Sequence, residues 1–186
     1  MCQHSKPAME KKPKNRIILL TGKGKGKTSS ALGMVLRAVG HGMHICVIQF
    51  VKSCSNTGEA RALQCLPGVE HLLCGNGFVS PSDTAEKRAQ HCCSAAEGLR
   101  LARLRLENPE IHMVVLDEIC SALHLNLLTE SDVLDLLAST SEGKIIILTG
   151  RHAPHSLIAI ADTVSIIEDA KHGLQHGIAA QPGVEF

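Results

Sequence analysis

Ile17-Ile18-Leu19-Leu20-Thr21-Gly22-Lys23-Gly24-Lys25-Gly26-Lys27-Thr28 is the stretch whose reading decides the fold. An apolar run ends in a loop of alternating glycine and lysine, and the loop opens into a helical pattern. Glycine admits backbone conformations that other residues avoid, so Gly22, Gly24 and Gly26 let the loop turn its N–H groups toward an anion. A helix starting near Lys27 would point its positive end at the same place. Lys27 adds a mobile cation, and Thr28 offers a hydroxyl suited to a divalent metal. The stretch follows the phosphate-binding pattern G-x-x-x-x-G-K-[ST] with one departure: Thr21 stands where that pattern has glycine.

Outward from this loop, hydrophobic and polar runs alternate in strand and helix lengths. Arg16–Leu20 reads as the first strand and Lys27–Val39 as a helix with Ala31, Leu32, Val35, Leu36 and Val39 at helical spacing, ended by Gly40-His41-Gly42. Ile45–Val51 is apolar enough to be a strand buried on both faces. Gln49, Lys52 and the segment Ser53–Glu59 then fall at its C-terminal end, where open α/β sheets bind ligands. A short helix is expected over Gly58–Cys65 and a strand over Val69–Leu73. The turn Cys74-Gly75-Asn76-Gly77-Phe78 delivers a phenylalanine into a loop. A long helix is expected over Ser82–Glu107, with Ala85, Ala89, Cys92, Ala96, Leu99, Ala102 and Leu106 on one face, broken by Asn108-Pro109. Met113–Leu116 is an apolar strand ending in Asp117 and Glu118, carboxylates that could bind Mg²⁺ near a phosphate loop. Leu127–Ala138 reads as a helix with Thr129 as N-cap and Asp132 completing a capping box. Lys144–Leu148 reads as a strand leading to Thr149-Gly150-Arg151, with Arg151 placed for an anion. His155–Ala161 reads as a helix, Thr163–Ile167 as a last strand, and the rest as a tail. The alternation implies an α/β fold, a mostly parallel sheet with helices on both faces.

Composition narrows the function classes. The 186 residues suit one domain over 15–186, preceded by a polar flexible arm over 1–14 that has no apolar core and does not read as a secretory signal. No apolar run is long enough to span a bilayer, so the expected location is the cytoplasm. A net charge of +1 offers no field for nucleic acid, and three phenylalanines with no tyrosine or tryptophan offer no base-stacking platform. The eight cysteines (Cys2, Cys46, Cys54, Cys65, Cys74, Cys92, Cys93 and Cys120) form no C-x-x-C pair and read as reduced thiols. The pairs His152/His155 and His172/His176 have helix-compatible spacing, but neither completes a tetrahedral metal set.

The ordered set of motifs resembles the P-loop type of ATP:corrinoid adenosyltransferase. It comprises Thr21–Thr28, Arg37-Ala-Val-Gly-His-Gly42, Val47-Ile-Gln-Phe-Val-Lys52, Gly75-Asn-Gly-Phe78, Val114-Val-Leu-Asp-Glu118, Leu148-Thr-Gly-Arg151, Ala161-Asp-Thr163 and the Lys171-to-Phe186 close. The resemblance runs from about Arg16 to Phe186, and the loop with Thr21 is itself that family's form. It implies a P-loop, RecA-like fold. It also implies transfer of the 5′-deoxyadenosyl group of ATP to the Co(I) of a reduced corrinoid, of the cob(I)yrinic acid a,c-diamide type, with release of triphosphate.

By the same resemblance, Gly22, Lys23, Gly24, Lys25, Gly26, Lys27, Thr28, Ser29 and Arg151 would hold the nucleotide. Lys27 and Arg37 would stabilise the leaving group, and Thr28, Glu118 and Asp117 would hold Mg²⁺ or Mn²⁺. Phe78 would displace the lower axial ligand of cobalt; some relatives carry tryptophan two residues on, where this chain has Ser80. ATP and the corrinoid are then the substrates, a flavodoxin or reduced flavin the electron donor, and the protein a homodimer. The residues alone leave two other readings open. One is a P-loop ATPase or kinase, with Glu118 or Gln49 near the γ-phosphate. The other is a non-catalytic nucleotide-sensing or RNA-binding module.

Overall fold

The computed structural model describes residues 14–51 and 57–185. The expectations for the arm over 1–13 and for Lys52 to Asn56 lie outside them. Six strands form one sheet: β1 (Arg16–Thr21), β2 (Ile45–Gln49), β3 (Val69–Leu73), β4 (Met113–Asp117), β5 (Ile145–Thr149) and β6 (Thr163–Ile166). Their order is β3-β2-β4-β5-β1-β6 and every pairing is parallel. All six C-terminal ends therefore open on one edge, where ligands bind in such sheets.

The central strands are continuous runs of Ile, Val and Leu because both faces are covered. On one face α1 (Lys27–Val39) packs Ala31, Val35 and Ala38 against Leu20, Val47, Val115 and Ile147, with Leu63 of α2 (Gly58–Gln64) beside them. On the other, α3 (Ala85–Glu107), α4 (Ile119–His124), α5 (Glu130–Ala138) and α6 (His155–Ile160) cover Leu19, Ile48, Leu116 and Leu148. Each such fully buried aliphatic side chain contributes about 1.5–3 kcal/mol relative to exposure.

Three sequence expectations need correction. The helix expected over Leu127–Ala138 begins at Glu130, with Thr129 and Asp132 forming the reciprocal capping box, and a separate helix, α4, precedes it. Six residues cannot display a helical period, and α4 leaves β4 through Glu118, a non-glycine residue at φ 63°. The helix expected from Ser82 begins at Ala85, because Ser80–Asp83 closes a turn and Thr84 caps the helix by accepting from Lys87 N. Its buried face is His91, Ala95, Gly98, Ala102 and Leu106, a stripe rotated from the one expected, with Ala85, Ala89 and Ala96 exposed. The rotation follows from close approach: a Cβ on Gly98 would lie 2.9 Å from Cys74 Cβ and 3.0 Å from the Phe50 ring. Small residues face the sheet there, and the larger apolar ones are displaced sideways.

Gly98→Ala tests that packing. Helix propensity alone favours alanine by about 1 kcal/mol, but overpacking against the buried Phe50 ring and the Cys74 side chain costs about 1–3 kcal/mol. The expected outcome is a net loss of about 1 kcal/mol in urea denaturation.

Candidate functional site

The glycine–lysine loop takes its shape from a backbone that crosses it. A Cβ on Gly22 would sit 2.3 Å from the carbonyl oxygen of Ile167, and one on Gly24 would sit 2.7 Å from the carbonyl carbon of Glu168. Gly22 is also at φ 103°. The segment after β6 is bonded to the loop: Ile167 N donates to Thr21 O at 2.8 Å, Gly24 N to Ile167 O at 2.8 Å and Lys25 N to Asp169 Oδ1 at 3.1 Å. Thr21 is the last residue of β1, a strand position where a side chain is tolerated, so its departure from the glycine pattern costs the loop nothing. Gly26, at φ 117°, turns the chain into α1, whose first turn carries no acid. The N-terminal N–H groups of α1 open on the cleft.

Lys27 is 6% exposed, and its Nζ donates to the carbonyls of Gly22 at 2.9 Å and Gly24 at 2.7 Å. Burial lowers its pKa from the ordinary lysine value; the charge of Glu118 works against that and the charge of Arg151 with it. The lysine therefore rests on the carbonyls of its own loop while it lines the cleft.

Behind the loop lies a row of polar groups at strand ends. The register pairs Gln49 of β2 with Asp117 of β4 and Leu116 with Leu148, so Thr149 of β5 stands beside Asp117. Asp117, 1% exposed, accepts at Oδ1 from Thr28 Oγ1 at 2.8 Å and from Thr149 Oγ1 at 2.7 Å, and at Oδ2 from Gln49 Nε2 at 2.8 Å. The far side of Gln49, its Oε1, lies 2.9 Å from His71 Nε2 on β3. Glu118 stays at the surface of the cleft. Its N–H donates to Thr149 Oγ1 at 2.9 Å, and its carboxylate accepts from Ser121 Oγ.

These parts enclose a cleft of about 530 Å³ lined by the loop from Gly24 to Ser29, by Glu118 and Arg151, and by Glu59 of α2. The C-terminal segment closes one side, with His172, Gly183 and Glu185 in the lining and Lys25 Nζ 3.5 Å from Glu185 Oε1. Among the described residues no group of three or more His, Cys, Asp or Glu could hold a metal by itself. The oxygens present, Thr28 Oγ1 and the Glu118 carboxylate, fit Mg²⁺ of the kind that takes most of its ligands from phosphates and water. Asp117 is occupied with holding Thr28.

Lys23 is exposed at the loop's outer side and Gly22 lies behind it; neither lines the cleft. Arg37 is not brought to the site. It is exposed in the last turn of α1, ten residues and about 15 Å along the axis from Lys27. Phe78 follows the C-terminal end of β3, a strand four spacings or about 19 Å across the sheet from β1. It is 81% exposed, whereas Phe50 is buried at 1%. The loop that carries it is pinned on both sides. Asn76 Nδ2 donates to Gln90 O at 3.1 Å and Ser94 Oγ at 2.8 Å; Val79 is buried; Ser80 N donates to Asp83 Oδ2 at 2.8 Å.

The sequence reading gave no individual role to Thr149, His71, Ser121, Asp169 or Glu185. A signal for the first was available, because β2, β4 and β5 each end an apolar run on one polar residue. Asp169 and Glu185 carry no such mark, since only the folded return of the chain brings them to the loop.

The sequence model of one protein family, described as ATP:corrinoid adenosyltransferase BtuR/CobO/CobP, matches residues 13–186. A corrinoid adenosyltransferase of Pseudomonas aeruginosa is 37% identical over 171 residues, covering 91% of this chain and 83% of the relative. Corrinoid adenosyltransferase CobA of Salmonella typhimurium is 34% identical over 171 residues, covering 91% and 85%. A corrinoid adenosyltransferase of a Sinorhizobium species is 35% identical over 176 residues, covering 93% and 81%.

The two left-handed glycines of the loop should respond differently to alanine. Gly26→Ala meets nothing within 4 Å and carries only backbone strain, about 1–3 kcal/mol. Gly22→Ala adds a collision with the Ile167 carbonyl, so its loss in denaturant melts should exceed that of Gly26→Ala. Equal losses would mean that the 167–169 segment does not press on the loop.

Proposed function

The chain belongs to the ATP:corrinoid adenosyltransferase family, which transfers the adenosyl group of ATP to a reduced corrinoid, and from that premise we propose how its cleft does so. The triphosphate lies over the N-terminus of α1, held by the N–H groups from Gly26 to Ser29, by Lys27, and by Arg151 from the opposite wall. Thr28 and Glu118 are the groups that would hold Mg²⁺, with Asp117 fixing Thr28; when bound, the metal neutralises charge on the triphosphate. The cobalt of the reduced corrinoid is itself the nucleophile. It attacks the ribose 5′ carbon, the carbon–oxygen bond breaks, and its electron pair leaves with the triphosphate. The protein needs no base for this step. Its work is alignment and stabilisation of the leaving group's charge. Lys27 can leave the carbonyls of Gly22 and Gly24 for the developing anion, and burial makes that ion pair stronger than it would be in water. Arg37 has no part in this arrangement.

The observation that carries this reading is Phe78, an aromatic ring 81% exposed on a loop anchored at Asn76, Val79 and Ser80, after the C-terminal end of β3. Transfer of a γ-phosphoryl group has no use for such a ring, and that alternative is not favoured. A flat corrinoid does: the ring can stand where the lower axial ligand of cobalt would sit and so ease reduction of Co(II) to Co(I). Ser80, bonded through its N–H to Asp83, shapes the loop and leaves Phe78 as its one aromatic. A reduced-flavin or flavodoxin donor, action on cob(I)yrinic acid a,c-diamide, a homodimer, a cytoplasmic location and a single domain over 15–186 complete the proposal. No helix among the described residues is long and apolar enough to cross a membrane.

Two substitutions test it by adenosylation assay. Lys27→Ala should lower kcat about 100-fold or more, as removal of one charge-stabilising donor does. Phe78→Ala should slow the reaction that starts from Co(II) far more than the reaction that starts from chemically reduced Co(I). Equal losses in the two assays would refute the role given to Phe78.

A further inference from the structure

The geometry points to His71 as a positioning residue for the adenosyl transfer: through Gln49 it fixes Asp117, and through Asp117 the hydroxyl of Thr28. The inference rests on the assignment of Thr28, Asp117 and Glu118 to the metal–triphosphate end of the cleft. His71 does not line that cleft. It lies on β3, paired with Val47, one pleat period before Gln49 and on the same face of the sheet.

Chemistry fixes the direction of the row. An ionised carboxylate accepts hydrogen bonds and donates none, so the Gln49 atom 2.8 Å from Asp117 Oδ2 must be the amide nitrogen. The other end of the amide, Oε1, then faces His71 Nε2 at 2.9 Å, and that nitrogen must carry a hydrogen. Gln49 has nearly the same shape turned by half a rotation, and at 1% exposure it has no bulk water to correct the mistake. In the turned form a carbonyl oxygen would stand 2.8 Å from a carboxylate oxygen, a repulsive contact in a site of low dielectric. A donor at His71 Nε2 selects the productive form. Without that donor, Gln49 loses the partner that sets its orientation, and Asp117 loses the Gln49 donor that helps to hold it beneath Thr28. The consequence falls on binding of the metal nucleotide, before any bond to the adenosyl carbon breaks.

The test uses the full chain with Mn²⁺ as the metal probe and ATP without corrinoid, read by electron paramagnetic resonance. It is accompanied by KM and kcat for adenosylation and by nitrogen-15 NMR of the histidine rings. His71→Leu should weaken Mn²⁺ in the ATP complex about tenfold and raise the KM for ATP correspondingly, with kcat little changed, as loss of an outer partner of a metal ligand does. His71→Gln, whose amide nitrogen can donate to the same oxygen, should stay within about twofold of the parent. In the parent protein His71 Nε2 should be protonated. An unprotonated Nε2, or a His71→Leu protein with unchanged Mn²⁺ affinity, overturns the inference. Asp117→Asn separates the two ideas: if it weakens Mn²⁺ while His71→Leu does not, only the role of His71 fails, and if it has no effect either, the assignment of the metal end fails with it.

Discussion

Asp117 is the point on which the site turns. A carboxylate at 1% exposure survives only with its lone pairs satisfied, and here donors from different elements converge on it, among them Thr28 from α1, Thr149 from β5 and Gln49 from β2. That convergence is possible only because the parallel register sets Gln49, Asp117 and Thr149 side by side and because α1 packs over that face. Asp117 thus ties the first turn of α1 to the C-terminal ends of β2, β4 and β5. A shift of register by a single position would turn these side chains to the opposite face of the sheet.

The second constraint is steric. The glycine–lysine loop is pressed from behind by the chain leaving β6, so Gly22 and Gly24 are small for want of room as much as for backbone freedom. The same segment bonds to the loop at Gly24 and Lys25, and the C-terminal residues return to line the cleft. The loop is therefore shaped by residues nearly 150 positions away. This leaves the donors of Gly26 to Ser29, with Lys27, as the part of the cradle that faces the cleft, and a triphosphate placed there would be flanked by Arg151 and Glu118.

Much of this was legible in the sequence. The six strands, the long helices and the capping box at Thr129 follow from apolar runs and turn residues, and the strand–loop–helix order around Thr21–Thr28 places a ligand at the C-terminal edge. Features governed by tertiary contact were not legible. Helix α4 is too short to show a period. The buried stripe of α3 is set by the approach of Phe50 and Cys74 to Gly98, which no local pattern reports. Arg37 was assigned to the leaving group by resemblance alone, and ten residues of helix place it at the far end of α1 from Lys27. Asp117 and Glu118 were both assigned to the metal end by resemblance; the left-handed turn at Glu118 divides them into a buried anchor and a residue facing the cleft.

The common theme is a cleft in which the triphosphate is the group left behind, and the acceptor is a metal centre that brings its own electrons. In the proposed arrangement, lysine, helix N-terminus and arginine supply charge at one end of the nucleotide, and the Phe78 ring meets the flat acceptor. The most direct measurement is a product analysis by phosphorus-31 NMR and absorbance after the protein is mixed with ATP, Mg²⁺ and chemically reduced cobalamin. Inorganic triphosphate and an adenosylated corrinoid should appear in equal amounts. ADP and phosphate without a cobalt–carbon product would contradict the account.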